Sequence, residues 1–457
     1  MALADEYASG ARTPLDVAEA ALSAAASDAL NAIASVDVEG TLRAATESAM
    51  RWAAGEPLGP LDGTPVTFKD SFHVTGLPRW HGTAISSGPV STFDAAPVRR
   101  AREAGMLVVG KTTMPDFAML MSGLSSQHGV IRNAWDPLTN TGGSSAGAGA
   151  SVLTGVATIA VGTDMIGSVR LPAALSGLAS LKPTQGRIAY DPAGDYRSAG
   201  PMARTVSSVE AALEVLGRYD PVDMYALPGR FVPAPPLDQA PSELADKTVG
   251  VLRSLSFGSP VDEPTAQAVS VAASALEARG AKVVEWDDLD ASAADYEAIY
   301  WFMIEKGLPD YLGQGAAARG RILPEIGRML EAGFSRTAVD SALGVRRIAL
   351  ATERFRRQLA GVDYLLSPVL PVRAFPATWL SPDPDDPMGH MGFACWPNRL
   401  GSPAGTVPVH SLAPDLPPVS VQIVGQRFDD GGVLGVLRLL EEARGSLAHD
   451  REATPWR

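Results

Sequence analysis

A chain of 457 residues with 46% hydrophobic and 6% aromatic content can bury one large core and has nothing of a disordered composition. Its 38 Lys and Arg against 51 Asp and Glu give a net charge of −13 with no basic block, a field that repels nucleic acid and anionic membranes. The single cysteine, Cys395, excludes an intramolecular disulfide, a cysteine-rich zinc site and an iron–sulfur centre. No apolar run approaches the ~18 residues of a membrane span, and the opening MALADEYASG has acids where a secretory signal has Lys or Arg. The expectation is a cytoplasmic protein that handles small, neutral or apolar substrates and binds neither nucleic acid nor membrane.

In chain order, Thr13-Pro14-Leu15-Asp16 offers an N-cap, a proline at the first helical position and an acid in the first turn. This predicts a helix to about Ser27, and a second, Ala-rich helix is expected over Val38 to Ala54. Gly63 to Asp70 reads as a β-branched strand ending at Lys69-Asp70. A helix over Ala96 to Gly105 and an apolar strand over Met106 to Gly110 make one repeat of a layered α/β fold. After a loop rich in Ser, Gly and Asn, a helix is expected over Ser145 to Leu153 and a strand over Ala157 to Val161. Ser168 then follows a strand and precedes the Leu171 to Leu178 segment. Asp220 to Pro241, proline-rich and without apolar periodicity, reads as a long surface connection or a boundary. Strands at Thr248 to Leu252 and Ala281 to Glu285, around a helix at Glu263 to Arg279, resume the alternation. An amphipathic stretch from Ser335 to Leu359 leads to a buried strand, Tyr364 to Leu366, closed by Ser367-Pro368. Pro382 to Cys395 reads as irregular, Val419 to Val424 as a strand and Val433 to Arg444 as a closing helix.

Gly142 to Arg170 concentrates the chemistry. It holds Ser144, Ser145 and Ser168 beside glycines, which let backbone N–H groups come close to a substrate. Two letter patterns nearby mislead. Gly105 to Thr112 spells a phosphate-binding loop, but Met106 to Val109 read as a strand, so Lys111 is taken as structural. Gly143 to Gly147 spells a nucleophile elbow around Ser145, yet Trp135 to Thr141 are loop material where an elbow needs a strand. The histidines, at positions 73, 81, 128, 390, 410 and 449, stand singly in no metal-binding spacing and give no support to a histidine triad. Lys69 ends an apolar strand, which carries its amine toward the interior.

Lys69, the GGSS segment and the Ser168 segment together resemble the amidase signature family of serine hydrolases, the Ser-cisSer-Lys amidases. The likeness runs through GTPVTFKD, AGMLVVGKTTMPDF, RNAWDP before GGSSAG, and GTDMIGSVRLPAALSGLASLKPTQGRI. It continues through GPMARTV, Asp363 to Pro368, Asn398 to Ala404 and PPVSVQIVG. The resemblance implies an α/β fold with a large mixed, mostly parallel sheet flanked by helices. It implies an amidohydrolase acting through an acyl-Ser168 intermediate, with no metal or organic cofactor. By position, Ser168 matches the nucleophile, Ser144 the bridging serine and Lys69 the general base. Ser145 supports Ser144, while Asp164 and Arg170 buttress the turn whose N–H groups, at Met165, Ile166, Gly167 and Ser168, form the oxyanion hole. A serine hydroxyl is a weak nucleophile until a base takes its proton. Lysine serves once burial lowers its pKa from about 10.4 toward 7, a change of about 4 kcal/mol. Each backbone donor of the turn contributes about 3 to 4 kcal/mol to the tetrahedral intermediate.

Ile166 stands where the family usually has the first of two glycines. A β-branched residue does not comfortably take a positive φ, so either the turn needs none there or the hole is reshaped; a narrowed or redirected pocket is expected, and a weaker enzyme stays open. Ser420 replaces a glycine in the PVSVQ strand, and Ala146-Gly147 the glycine-rich end of GGSSGG. The domain expectation is a single amidase domain over 1–457, with 1–219 as catalytic core and 220–457 as a variable lobe that returns to the core sheet. Trp301, Phe302, Met303, Trp379, Met388, Met391, Phe393 and Trp396 are candidates either to line an apolar or aryl pocket or, equally, to pack in the core or an interface; an aryl or apolar amide is preferred as substrate, with esterase side activity. Two alternatives stand beside this. One is an ammonia-producing component of a tRNA-dependent amidotransferase complex, which the net charge and Ile166 count against. The other is a catalytically weak binding protein on the same fold, which the retained trio counts against. A homodimer stays open.

Overall fold

The β-branched and apolar runs of the sequence become strands of one 11-stranded sheet in the computed structural model, which describes residues 2–231, 233, 244–313, 315–383, 385–412 and 416–445. The strands are β1 (Ile33–Val36), β2 (Pro65–Lys69), β3 (Leu107–Thr112), β4 (Leu124–Ser125), β5 (Gly129–Val130), β6 (Ile159–Asp164), β7 (Ala179–Lys182) and β8 (Ser198–Ala203). They continue with β9 (Thr248–Leu252), β10 (Lys282–Trp286), β11 (Tyr364–Pro368), β12 (Ala404–His410) and β13 (Val419–Gly425). β4 and β5 form a separate hairpin, and the rest are ordered β1-β3-β2-β6-β8-β7-β12-β13-β11-β9-β10.

The sheet is mixed, and its parallel pairing is gathered in two blocks. β3, β2 and β6 run parallel, as do β11, β9 and β10, and antiparallel joins link the remaining neighbours. Each block contains a helical crossover, Ala96–Glu103 between β2 and β3 and Glu263–Ala278 between β9 and β10. A parallel pair needs such a connection, whereas antiparallel neighbours can be joined by short turns.

Alternation along the strands separates the two faces. Tyr364 and Leu366 of β11, with Val421 and Ile423 of β13, belong to one apolar cluster together with Phe68 and Val66 of β2. Leu365 and Val424 belong to another, with Ile166, Phe355 and Trp396. Helices cover both. Pro14–Ala26 starts at a reciprocal capping box between Thr13 and Asp16, and Val38–Ala54 ends on Gly55. The long helix Ala338–Leu359 packs against Ala293–Leu312, an element the sequence reading did not contain.

β7, β8 and β12 were also absent from that reading, and β6 extends past Val161 to Asp164. Lys111 lies within β3, fully buried, with its Nζ 2.8 Å from Asp70 and 2.8 Å from the Pro78 carbonyl. The expected connection at Asp220 to Pro241 lies partly outside the described residues. No helix among the described residues is long and apolar enough to cross a membrane.

Candidate active site

Parallel pairing of Val66, Thr67 and Phe68 with Ile159, Ala160 and Val161 brings the C-terminal ends of β2 and β6 out on the same side of the sheet. Lys69 is the last residue of β2, and Thr163 and Asp164 are the last of β6. Lys69 is fully buried, with Nζ 2.8 Å from Ser144 Oγ and 3.0 Å from Thr163 Oγ1. Burial drives its pKa well below 10.5, and the Arg197 charge pushes the same way, against the weaker pull of Asp164 and Asp70. Those two carboxylates are engaged elsewhere, Asp70 with Lys111 and Asp164 with Arg170. The result is an amine whose charged form is disfavoured by burial, held between two hydroxyls.

The peptide bond between Gly143 and Ser144 is cis. A Cβ at Gly143 would lie 2.6 Å from the Leu120 carbonyl oxygen and 2.7 Å from the Ser122 nitrogen, so only glycine lets the loop pass there. Ser145 faces away from the cleft. Its N–H donates to the Ser168 carbonyl (3.2 Å), and its hydroxyl accepts from the Thr163 N–H (3.3 Å). It thereby ties the serine loop to β6 and to the Ser168 segment. Ser168 shares a cleft with Ser144 and Thr163 and donates its hydroxyl to Met121 Sδ at 3.3 Å. The sequence-predicted trio is thus brought to one place, with the amine in contact with Ser144 and the Ser168 hydroxyl turned toward the thioether.

Between β6 and the helix Arg170–Leu175 the chain makes the turn 165–169. Gly167 adopts φ +119°, and a Cβ there would meet Leu171 Cδ1 at 2.3 Å and Ala394 Cβ at 2.7 Å. The positive φ falls on this glycine alone within the turn. Ile166 is fully buried in an apolar cluster with Met121 and Leu171 and does not line the cleft, which Met165 does. The expected narrowing of the pocket by the Ile166 side chain is therefore corrected: the side chain has turned into the core. The expected set of turn donors also changes. The Gly167 N–H donates to Asp164 Oδ1 (2.7 Å), which leaves those of Met165, Ile166 and Ser168 without an acceptor among the described residues.

Asp164 and Arg170 hold this turn from below. Both are fully buried, 2.9 Å apart, and Arg170 also donates to Gln422, Asn398 and the Ala394 carbonyl. Burial works against the Asp164 carboxylate, but Arg170 outweighs it with help from Lys182 and the Gly167 N–H, and holds its pKa at about 2. Asn398 donates to Asp164, and Gln422 to Ser367 and the Phe393 carbonyl. Asn398, Gln422 and Ser367 lie in segments that carry the family likeness, with no local pattern in the sequence that marks this task.

The cleft has a cavity volume of about 90 Å³. Phe117, Met119, Tyr190 and Met303 give it apolar surface, and Arg197, Lys306 and Asp310 give it charge. Of the apolar residues offered either as pocket lining or as core, Met303 lines it. Trp396, Met391, Phe393 and Met388 are buried in the core, Phe302 packs against Tyr196 and Arg399, and Trp379 is exposed. Thr163, Met121 and Arg197 were missed, because what makes them part of the site is proximity across the fold. No group of residues that could hold a metal ion occurs among the described residues.

These features define a class of protein: a mixed α/β sheet with a buried lysine and two serines gathered at a strand-end cleft. The chain belongs to the amidase family, whose model matches residues 16–434. It is similar to the A component of the glutamyl-tRNA(Gln) amidotransferase of Symbiobacterium thermophilum, 32% identical over 94% of this chain and 93% of that one. Among solved structures, an inhibitor-bound complex described as vestigial and bearing on the origins of an s-triazine catabolic enzyme superposes with TM-score 0.84 at 26% identity, covering 96% of this chain and 97% of the other. A bacterial aryl acylamidase of the amidase signature family, 22% identical, shares the fold with TM-score 0.86 over 98% of this chain and 96% of its own.

Proposed function

We propose that the protein is an amidohydrolase that cleaves a carboxylic amide through an acyl-Ser168 intermediate. The observation that carries this is the buried Lys69 amine, its pKa depressed, 2.8 Å from Ser144 Oγ beside a cleft that Ser144 and Ser168 line. On substrate entry the Ser168 hydroxyl leaves Met121 Sδ for Ser144 and attacks the carbonyl carbon. Its proton passes to Ser144 as the Ser144 proton passes to Lys69 Nζ. Thr163 Oγ1, accepting one Nζ hydrogen, aims the nitrogen lone pair at Ser144. The free N–H groups of Met165, Ile166 and Ser168 receive the developing oxyanion. The proton then returns through Ser144 to the leaving amine, the C–N bond breaks, and water deprotonated by the same relay frees the acid. Phe117, Met119, Tyr190 and Met303 support an apolar or aryl portion in the substrate, and the same site would cleave esters.

Amine release from a panel of anilides, aliphatic amides and amino-acid amides tests this. Lys69→Ala and Ser144→Ala are expected to lose about 10³-fold in kcat/KM, in the range set by general acid–base catalysis. Ser145→Ala, one contact removed, should lose less. Wild-type rates in Lys69→Ala would refute the mechanism.

A second reading follows from the curated relatives, in which a component of this kind serves an amidotransferase. The chain would then liberate ammonia from an amide for a partner enzyme. Copurification with partner proteins and ammonia release from glutamine only in their presence would favour it.

A further inference from the structure

Resting on the amidohydrolase reading, we infer that the substrate carries a carboxylate, or an anionic group of the same geometry, which Arg197 receives inside the cleft. Arg197 immediately precedes β8, half-buried, and lines the same cleft as Ser168 and Ser144. Its guanidinium lies over the ring of Tyr190, 5.1 Å from the centroid, and Tyr190 also lines the cleft. This cation–π contact holds the charge over the ring and leaves its N–H donors for another group.

Arg197 differs from the arginines around it. Arg170 is saturated by Asp164, Gln422, Asn398 and Ala394, and Arg399 donates to the Met165 carbonyl. Arg79 donates to the Ser71 carbonyl. Among the described residues the Arg197 side chain has no carboxylate within ion-pair distance and no hydrogen-bond acceptor, only the Tyr190 ring, in a chain where acids outnumber bases 51 to 38. A guanidinium presents a planar fork that matches a carboxylate with two parallel hydrogen bonds.

The other charges of the cleft do not supply that anion. Asp70 is held by Lys111 and Asp164 by Arg170. Lys306 and Asp310 sit exposed on the helix Ala293–Leu312, one of each sign. Arg197 therefore places an unpaired positive charge on the wall of the cleft, despite the net charge of −13. An anion at Arg197 has a second effect. The Arg197 charge is among the influences that depress Lys69, opposed by Asp164 and Asp70, with His81 driven toward its neutral form by burial. A bound carboxylate offsets that charge, so Lys69 becomes a stronger base in the complex. The acid limb of kcat should then lie at higher pH than that of kcat/KM for carboxylated amides, and the two should coincide for neutral ones.

Two matched pairs test the inference by titration calorimetry on Ser168→Ala. Succinic acid mono-4-nitroanilide is set against N-butyryl-4-nitroaniline, with the carboxylate on the acyl side, and 4-acetamidobenzoate against acetanilide, with it on the leaving side. One carboxylated member is expected to bind about 10- to 100-fold more tightly than its neutral counterpart, the range of a hydrogen bond to a charged group. Arg197→Gln in the same background should erase the gap and Arg197→Lys should keep part of it. Equal affinity within both pairs, no measurable binding, or a gap that survives Arg197→Gln overturns the inference. If wild type hydrolyses neither pair while the gap behaves as expected, the amidohydrolase reading fails and the anion site stands. If it hydrolyses both members of a pair equally, and Arg197→Gln does so too, the reverse holds.

Discussion

In the proposed mechanism Lys69 meets two opposed demands, since the burial that would make it a base also makes it costly to fold. Its folded pKa is depressed, so between that value and its unfolded value of about 10.4 only the unfolded chain binds the proton. Wild type should therefore lose stability relative to Lys69→Met as pH falls from above 10, by about 1.4 kcal/mol per pH unit across that window. Urea unfolding of both proteins from pH 7 to 10.5 measures this, and parallel curves would contradict it. Depression alone does not make a base. Lys182 is brought to about 7 by burial and by Arg170, yet its Nζ donates to the Pro183 carbonyl in the core. Position decides, and position is what Thr163 supplies. Thr163→Val, which keeps the shape and removes the acceptor, should lower kcat by about 10-fold with little change in KM, by analogy with other lost hydrogen bonds to charged or reacting groups. Lys69, Ser144 and Ser168 were legible because glycine-rich loops and a strand-ending lysine mark them locally. Arg197 and Thr163 carry no local mark and become site residues only when β6 and β8 pair.

At the scale of elements, the turn between β6 and the helix Arg170–Leu175 assigns its strain to one residue, Gly167. Restoring a glycine at Ile166 should therefore gain no activity. It removes a fully buried side chain, and Ile166→Gly is expected to cost about 3 kcal/mol or more of stability, from the lost burial, the cavity and the added chain freedom. A rise in kcat/KM for Ile166→Gly would show instead that the isoleucine obstructs the acyl site. The strands that alternate or run apolar were legible, as were the capped helices Pro14–Ala26 and Val38–Ala54. β8 and β12 were not. Ser198-Ala-Gly-Pro-Met-Ala203 and Ala404-Gly-Thr-Val-Pro-Val-His410 carry glycine and proline, which ordinarily break strands, and here neighbours on both sides hold them in place. The helix Ala293–Leu312 has apolar residues on most of its turns and a proline near its end, which blurred its period.

At the scale of the molecule, one buried polar network joins distant parts of the chain. Arg170 links Asp164 at the end of β6 to Gln422 in β13 and to Asn398 in the helix Trp396–Leu400, and Gln422 reaches Ser367 in β11. Arg170→Met leaves a buried carboxylate unpaired and should destabilise the protein by about 3 to 5 kcal/mol in urea unfolding. Activity should fall more steeply than stability at subdenaturing urea, because Asp164 also fixes the turn beside Ser168 through Gly167 and Val169. The family resemblance carried the fold class over nearly the whole chain, while the charge of the cleft could not be read from the charge of the chain. The central claim concerns one oxygen atom and is tested on intact protein with a fluorophosphonate and peptide mapping by mass spectrometry. The expected result is a single adduct on Ser168, greatly slowed in Lys69→Ala; an adduct on Ser145, or none on folded protein, would contradict it.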